Sequence, residues 1–243
     1  MKKLFLISII FLNSAAALAQ DFKMPAASDY PSLEKYGQKI EDFVPKNWKL
    51  VTKAVGDLNG DKIQDGVVVV KGNNREFINK NDGLGVPEFD TNPRMLIILF
   101  GGDAGKRYEI AEQSNSFIII PESPTMAEPF KSAKIKNGVL QLDFEQWSSA
   151  GSWGATEMSY KFKYLNGEFV LIGADKTESM RNTGETETRS YNFLTNRMSI
   201  TTGNFAGKAK PKTRWKTFRV KESKTFRTFR EPFGWEIEPD YFL

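Results

Sequence analysis

Residues 158–172 read MSYKFKYLNGEFVLI, with apolar and polar side chains alternating on both sides of Asn166-Gly167. An Asn-Gly pair between two alternating runs marks a β-hairpin, because both residues accept the positive φ of a type I′ turn. The pattern recurs in AKIKNGVLQLDF at 133–144, turned at Asn137-Gly138, and Tyr191 to Thr202 reads as a third hairpin turned near Thr195-Asn196. Upstream, Trp48–Val55, Gly66–Lys71, Met95–Phe100 and Phe117–Ile120 read as further strands. Between them, Asn73 to Pro93 is a polar insertion of about twenty residues, longer than an ordinary connection. No βαβ rhythm is present, so the expected fold is mostly β, an antiparallel sandwich or partial barrel.

One short N-terminal helix is expected in front of it. Leu33, Tyr36, Gly37, Ile40 and Val44 recur at helical spacing, Ser32 is placed to cap the start, and Pro45 stops the run.

The first residues belong to transport rather than to the fold. Lys2 and Lys3 precede an apolar run from Leu4 to Leu12, and Ala17-Leu18-Ala19 fits a small-x-small cleavage site. A signal peptide over 1–19, a lead-in and helix over 20–45, and a single β-rich domain over 46–243 follow. The run is too short for a spanning helix, and no later segment replaces it. The expected destination is the periplasm or the exterior. Of the 243 residues none is cysteine or histidine. Disulfides, histidine-based catalysis and the favoured nitrogen and sulfur ligands of zinc are therefore absent. Loss of Lys2 and Lys3 takes the formal charge from +4 to +2, which gives no case for specific nucleic acid binding.

Directly before the apolar run Val67 to Val70 lies GDLNGDKIQDG, residues 56–66. Counting Asp57 as position one, oxygen side chains fall at Asn59, Asp61 and Asp65, with the Ile63 carbonyl at position seven. This alternation suits Ca2+, which takes about six to eight oxygens. An Asx-rich turn with solvated acids is the metal-free alternative. Val68 stands where an EF-hand needs a bidentate acid, and Lys62 stands where such a loop prefers glycine, so positive φ there costs about 1 kcal/mol. The stretch resembles the calcium loop and following strand of FG-GAP/VCBS-type repeats. Together with IKNGVLQLDFEQWSSAGSW, YKFKYLNGEFVLIGAD and YNFLTNRMSITTG, it is also similar to a family of exported bacterial proteins of unknown function. The FG-GAP likeness implies calcium at Asp57, Asn59, Asp61 and Asp65. It does not imply a propeller, since only one good copy of the loop is present and the chain is too short.

Three other constellations carry chemistry. Trp147 and Trp153 flank small residues that could present a platform for a sugar, or else cap the core. Asp143 and Glu145 fall on one face of a strand, an arrangement that could serve glycoside hydrolysis, the commoner alternative being acids that simply face solvent. The segment from about 207 repeats Thr-Phe-Arg three times among basic residues, with Glu222 as the one acid between Lys208 and Arg230. Arg214, Lys216, Arg219, Arg227 and Arg230 are its candidate contacts to an anionic polymer, the alternative being an edge strand guarded by lysine. The chain is expected to be an exported, calcium-stabilised binding or interaction protein of the bacterial envelope, meeting an envelope protein or a glycan. The rival reading is a carboxylate-dependent hydrolase of envelope glycans.

Overall fold

The computed structural model describes residues 22–102 and 106–243; the signal-peptide assignment lies outside these residues. In chain order the strands are β1 (Tyr36–Gly37), β2 (Trp48–Gly56), β3 (Asp65–Gly72), β4 (Ile78–Lys80), β5 (Glu88–Asp90), β6 (Arg94–Gly102), β7 (Arg107–Ser114) and β8 (Phe130–Lys136). They continue with β9 (Val139–Trp147), β10 (Gly154–Leu165), β11 (Glu168–Met180), β12 (Glu185–Asn192), β13 (Arg197–Asn204), β14 (Lys212–Thr217), β15 (Glu236–Glu238) and β16 (Tyr241–Phe242). A five-stranded antiparallel sheet runs β1-β7-β6-β3-β2, and a seven-stranded meander runs β14 through β8 in order. The two sheets face each other without closing into a barrel.

Turn chemistry sets the meander. Asn137 (φ 53°) and Gly138 (φ 73°), then Asn166 (φ 52°) and Gly167 (φ 88°), supply the left-handed pairs expected of the two Asn-Gly turns. The third hairpin closes over Phe193–Asn196, with Asn192 opposite Arg197 and Asn196 at φ 52°.

The core explains the unbroken valine run. Val67 and Val69 point between the sheets and pack in one cluster with Leu142, Tyr160 and Phe162. Val68 and Val70 point the other way, into a second cluster with Ile40 and Phe43. A strand buried on both faces loses the polar half of its alternation. All four valines are fully buried, each contributing roughly 1.5–3 kcal/mol by its transfer from water.

That second cluster corrects the expected N-terminal helix. Tyr36-Gly37 instead pairs with Glu109 and Tyr108 of β7, and only a 3-10 turn forms at Ile40–Phe43. Ile40 and Phe43 carry the helical spacing, but one turn already points both inward, and the sheet edge takes the backbone bonds a helix would have used. At Gly37 a Cβ would sit 2.8 Å from the Phe43 ring, so this close approach needs glycine. The 73–93 insertion is also folded. It forms the β4–β5 hairpin, anchored by buried Phe77 and Phe89.

Phe117 to Ile120 is irregular rather than a strand. Phe117 is nevertheless fully buried at the hub of an aromatic cluster, with ring centroids 5.1–6.1 Å from Phe144, Tyr160, Phe162, Phe226 and Phe229. The seven-stranded sheet is wider than its partner, and the chain's last residues cover the surplus inner face. Tyr241 lies over Lys176 and Arg189, 4.1 and 3.7 Å from their cationic groups, while Leu243 is fully buried. The apolar ending therefore docks on the body.

Candidate functional site

The acidic loop joins β2 to β3, and its oxygens bind its own backbone. Asp57 Oδ1 accepts from the Gly60 amide at 2.7 Å and Oδ2 from the Lys62 amide at 3.0 Å. Asn59 Oδ1 accepts from the Asp61 amide at 2.9 Å, and Asp61 Oδ1 from the Ile63 amide at 2.7 Å. These nested Asx turns wind the loop tightly, which forces Lys62 to φ 68°, the left-handed strain its sequence position foretells. The Lys62 side chain is exposed. Leu58, rather than Ile63, is the loop's buried apolar anchor, while Ile63 is half-buried.

Asp65 behaves differently. Fully buried, it accepts from the Leu58 amide at 2.7 Å, the Asn59 amide at 3.3 Å and, across the sheet, the Gly101 amide at 2.9 Å. Burial raises its pKa, and the three amide bonds only partly offset that. A Cβ at Gly101 would meet the Gln64 carbonyl at 2.3 Å, so glycine is what lets β6 approach. Asp65 thus staples both ends of the loop to a central strand.

The donor chemistry suits calcium better than the arrangement does. Asp57, Asn59, Asp61 and the Ile63 carbonyl are hard oxygen donors on one short loop, and each carboxylate oxygen that accepts one amide keeps a second lone pair. However, no three acids converge into a metal-holding group among the described residues. Asp65 is turned inward to backbone amides. An ion on the outer side of the loop would draw on Asp57, Asn59, Asp61 and the Ile63 carbonyl, with water completing its shell, and Asp65 would act behind it as a staple.

Asp143 and Glu145 do not form a general acid pair. Asp143 accepts from Ser132 Oγ, Ser159 Oγ and Gln141 Nε2, each at 2.6 Å, and from Lys134 Nζ at 2.9 Å. Burial alone would raise its pKa, but these bonds, led by Lys134, hold it at about 2. Glu145 is paired with Lys131 at 2.7 Å. A glycosidase acid needs a raised pKa and a free proton to give. Asp143 has neither property at neutral pH.

Trp147 ends β9 and Trp153 lies on the loop that follows, but the two do not share a platform, and no ring contact between them occurs among the described residues. The Arg181 guanidinium lies 5.0 Å from the Trp147 ring centroid and binds the Ser148 and Ser152 carbonyls, tying the loop down. Trp153 projects outward, 63% exposed.

In the basic segment the aromatic half is core. Phe226 and Phe229 are buried and Phe218 packs against the same cluster, so the Thr-Phe-Arg repeats place rings inward and cations outward. Arg227 is bound to Glu112 at 2.8 Å and Lys216 to Glu238 at 2.7 Å. Arg214, Arg219 and Arg230 are exposed and make no ion pair among the described residues. On β14, Arg214 stands opposite Ile200 and Lys216 opposite Met198, so they share the core-side face beyond the core's edge. Trp215 therefore points to the outer face.

That orientation exposes a feature the sequence reading missed. On the outer face of the meander, a cleft of about 540 Å3 is lined by Lys161, Asp175, Ser190, Asn192, Arg197 and Trp215, among others. Its residues come from five strands and meet only through register. A signal was present in the sequence, because Trp215 breaks the polar alternation of an otherwise solvated strand. Comparison of the chain with protein-family models, with curated proteins and with solved structures finds no match.

Proposed function

We propose that this chain is an exported, calcium-stabilised binding protein of the bacterial envelope that performs no catalysis. The observation carrying this reading is the saturation of Asp143. The one carboxylate pair the sequence offers for hydrolysis has no free general acid, since Asp143 is filled by four hydrogen bonds and Glu145 is paired with Lys131, which leaves the broad polar face of the seven-stranded sheet as the feature open to a partner. The leader-like residues 1–19 support export. The acidic loop supports calcium as a fastener of β2 to β3, in a chain with no disulfide to serve that purpose. Among the described residues no helix is long and apolar enough to cross a membrane.

The test is retention of envelope components on the immobilised, folded protein, with soluble protein as competitor. A protein or glycan fraction retained and displaced by competitor supports binding. No retention from either fraction contradicts it. Release of reducing ends from cell-wall polysaccharide, abolished in Asp143→Asn, would restore the hydrolase reading.

A further inference from the structure

We propose that the outer-face cleft is a saccharide site that takes a pyranose bearing a carboxylate; this rests on, and sharpens, the reading of the chain as an envelope-binding protein. Two cross-strand rows build it. In one, Ser159, Asp175, Ser190, Ser199 and Trp215 lie side by side from β10 to β14; in the next, Lys161, Gly173, Asn192, Arg197 and Thr217 do the same. Short side chains at Gly173, Ser190 and Ser199 make a low floor. Longer ones rise on both sides, Lys161 and Asp175 at one wall, Arg197 and Trp215 at the other. The β-bulge between Lys161 and Phe162 bends the sheet beside Gly173, and a larger residue there would press on the Tyr191 carbonyl at 3.1 Å.

Each wall offers different chemistry. Trp215 is 65% exposed, an unusual cost for an indole on an edge strand, and its ring offers the apolar face on which a pyranose ring stacks. Asn192 Oδ1 accepts from the Leu194 and Thr195 amides at 3.1 Å each, so its side-chain N–H groups, with the Ser190 hydroxyl, are what can read sugar hydroxyls. Lys161 is neutralised by an ion pair with Asp175. Arg197 makes no ion pair among the described residues, and its guanidinium lies 5.3 Å from the centroid of the Trp215 ring. The cleft therefore has one uncompensated cation, and that cation is a planar fork suited to a carboxylate. Its volume lies within the range of small-ligand sites, roughly 300–1,000 Å3. An acidic sugar ring on Trp215, with its carboxylate at Arg197, satisfies ring, charge and floor together.

Titration calorimetry on the intact chain tests this with four probes: trigalacturonate, the disaccharide N-acetylglucosaminyl-N-acetylmuramic acid, neutral chitotriose and a hexaglutamate peptide. At least one acidic saccharide should bind, with chitotriose and hexaglutamate weaker by about tenfold or more, a gap of about 1.4 kcal/mol. Trp215→Ala and Arg197→Gln should each weaken binding by about tenfold while leaving the melting temperature unchanged, since both side chains are exposed. Arg197→Lys should recover only part of the loss. Equal binding of chitotriose removes the carboxylate assignment, and equal binding of hexaglutamate makes the surface a peptide site. Acidic saccharide binding unaffected by Trp215→Ala, or absent altogether, overturns the cleft. If Trp215→Ala still retains envelope components as the parent protein does, the binding function stands and this site falls. If the parent retains none, the broader reading fails with it.

Discussion

Replacing Asp65 with asparagine separates the loop's two functions. In the folded chain three backbone amides, from Leu58, Asn59 and Gly101, converge on the two Asp65 oxygens. Asparagine keeps one acceptor oxygen and turns the other into an amide nitrogen that can only donate. Whichever way the side chain faces, at least one buried amide meets a donor. An unsatisfied buried group costs about 1–3 kcal/mol, and loss of a hydrogen bond to a charge adds to this, so Asp65→Asn should cost about 2–4 kcal/mol. The control is Asp61→Asn. Asp61 is exposed and binds only Ile63 and Asn59 within the loop, so its replacement should cost less than about 1 kcal/mol in chelator.

Urea unfolding followed by tryptophan fluorescence reads both variants. With a urea slope near 2–3 kcal/mol/M, the Asp65→Asn midpoint should fall by roughly 1 M. Acid should not mimic the substitution, because a protonated carboxyl still accepts at both oxygens. The folded-state pKa of Asp65 lies above its ordinary 3.8, so the native chain binds this proton first. Its contribution therefore grows as pH falls from the raised value towards 3.8, and shrinks on the way back up. A midpoint for Asp65→Asn within 0.3 M of the parent, or equal losses in the two variants, would refute the stapling argument (roughly 1 kcal/mol at these slopes).

Other expectations follow from the same geometry. Asp143 titrates with the opposite sign: its folded pKa of about 2 lies below 3.8, so its stabilisation is present above 3.8 and lost as pH falls towards 2. Asp143→Asn should cost about 1–2 kcal/mol at neutral pH, a figure discounted for its partial exposure, and should flatten this acid limb in a pH series of melts. Phe117→Ala should cost about 3–5 kcal/mol in urea unfolding, because it empties the hub of five ring contacts; a loss below 1 kcal/mol would mean the cluster repacks freely. If the outer side of the loop holds calcium with a dissociation constant of about 10⁻⁴–10⁻³ M, 1 mM Ca2+ adds about 0.4–1.4 kcal/mol. The melting temperature should then rise by a few degrees over chelator, and Asp61→Asn should remove that rise. No rise in the parent would remove calcium from the account.

Local rules made part of this molecule legible. Asn137-Gly138 and Asn166-Gly167 fix their turns through φ alone, and the valine run announces a strand buried on both faces. The N-terminal segment misled because Ile40 and Phe43 satisfy helical spacing with a single 3-10 turn, while the bonds that settle Tyr36-Gly37 come from β7, more than seventy residues away in the chain. Lys62 was legible down to its positive φ, since the loop's Asx turns depend only on neighbours. Asp65 was not read as a staple, because its deciding partner, Gly101, lies on another strand. In the basic segment the sequence interleaves cations and rings without saying which way each faces; packing turns the three phenylalanines inside, and the β13–β14 register puts Trp215 outside. The cleft was least legible of all, since it exists only where five strands align.

The most direct test of the binding account is a backbone chemical-shift map of the isotopically labelled protein during titration with solubilised cell-wall glycan fragments. The account predicts that the perturbed amides cluster on the outer face around Asp175, Ser190, Asn192, Arg197 and Trp215, leaving the acidic loop and the inner face still. Perturbations confined to the acidic loop or to the surface around Asp143 would contradict the cleft, and none at saturating fragment would contradict the binding account.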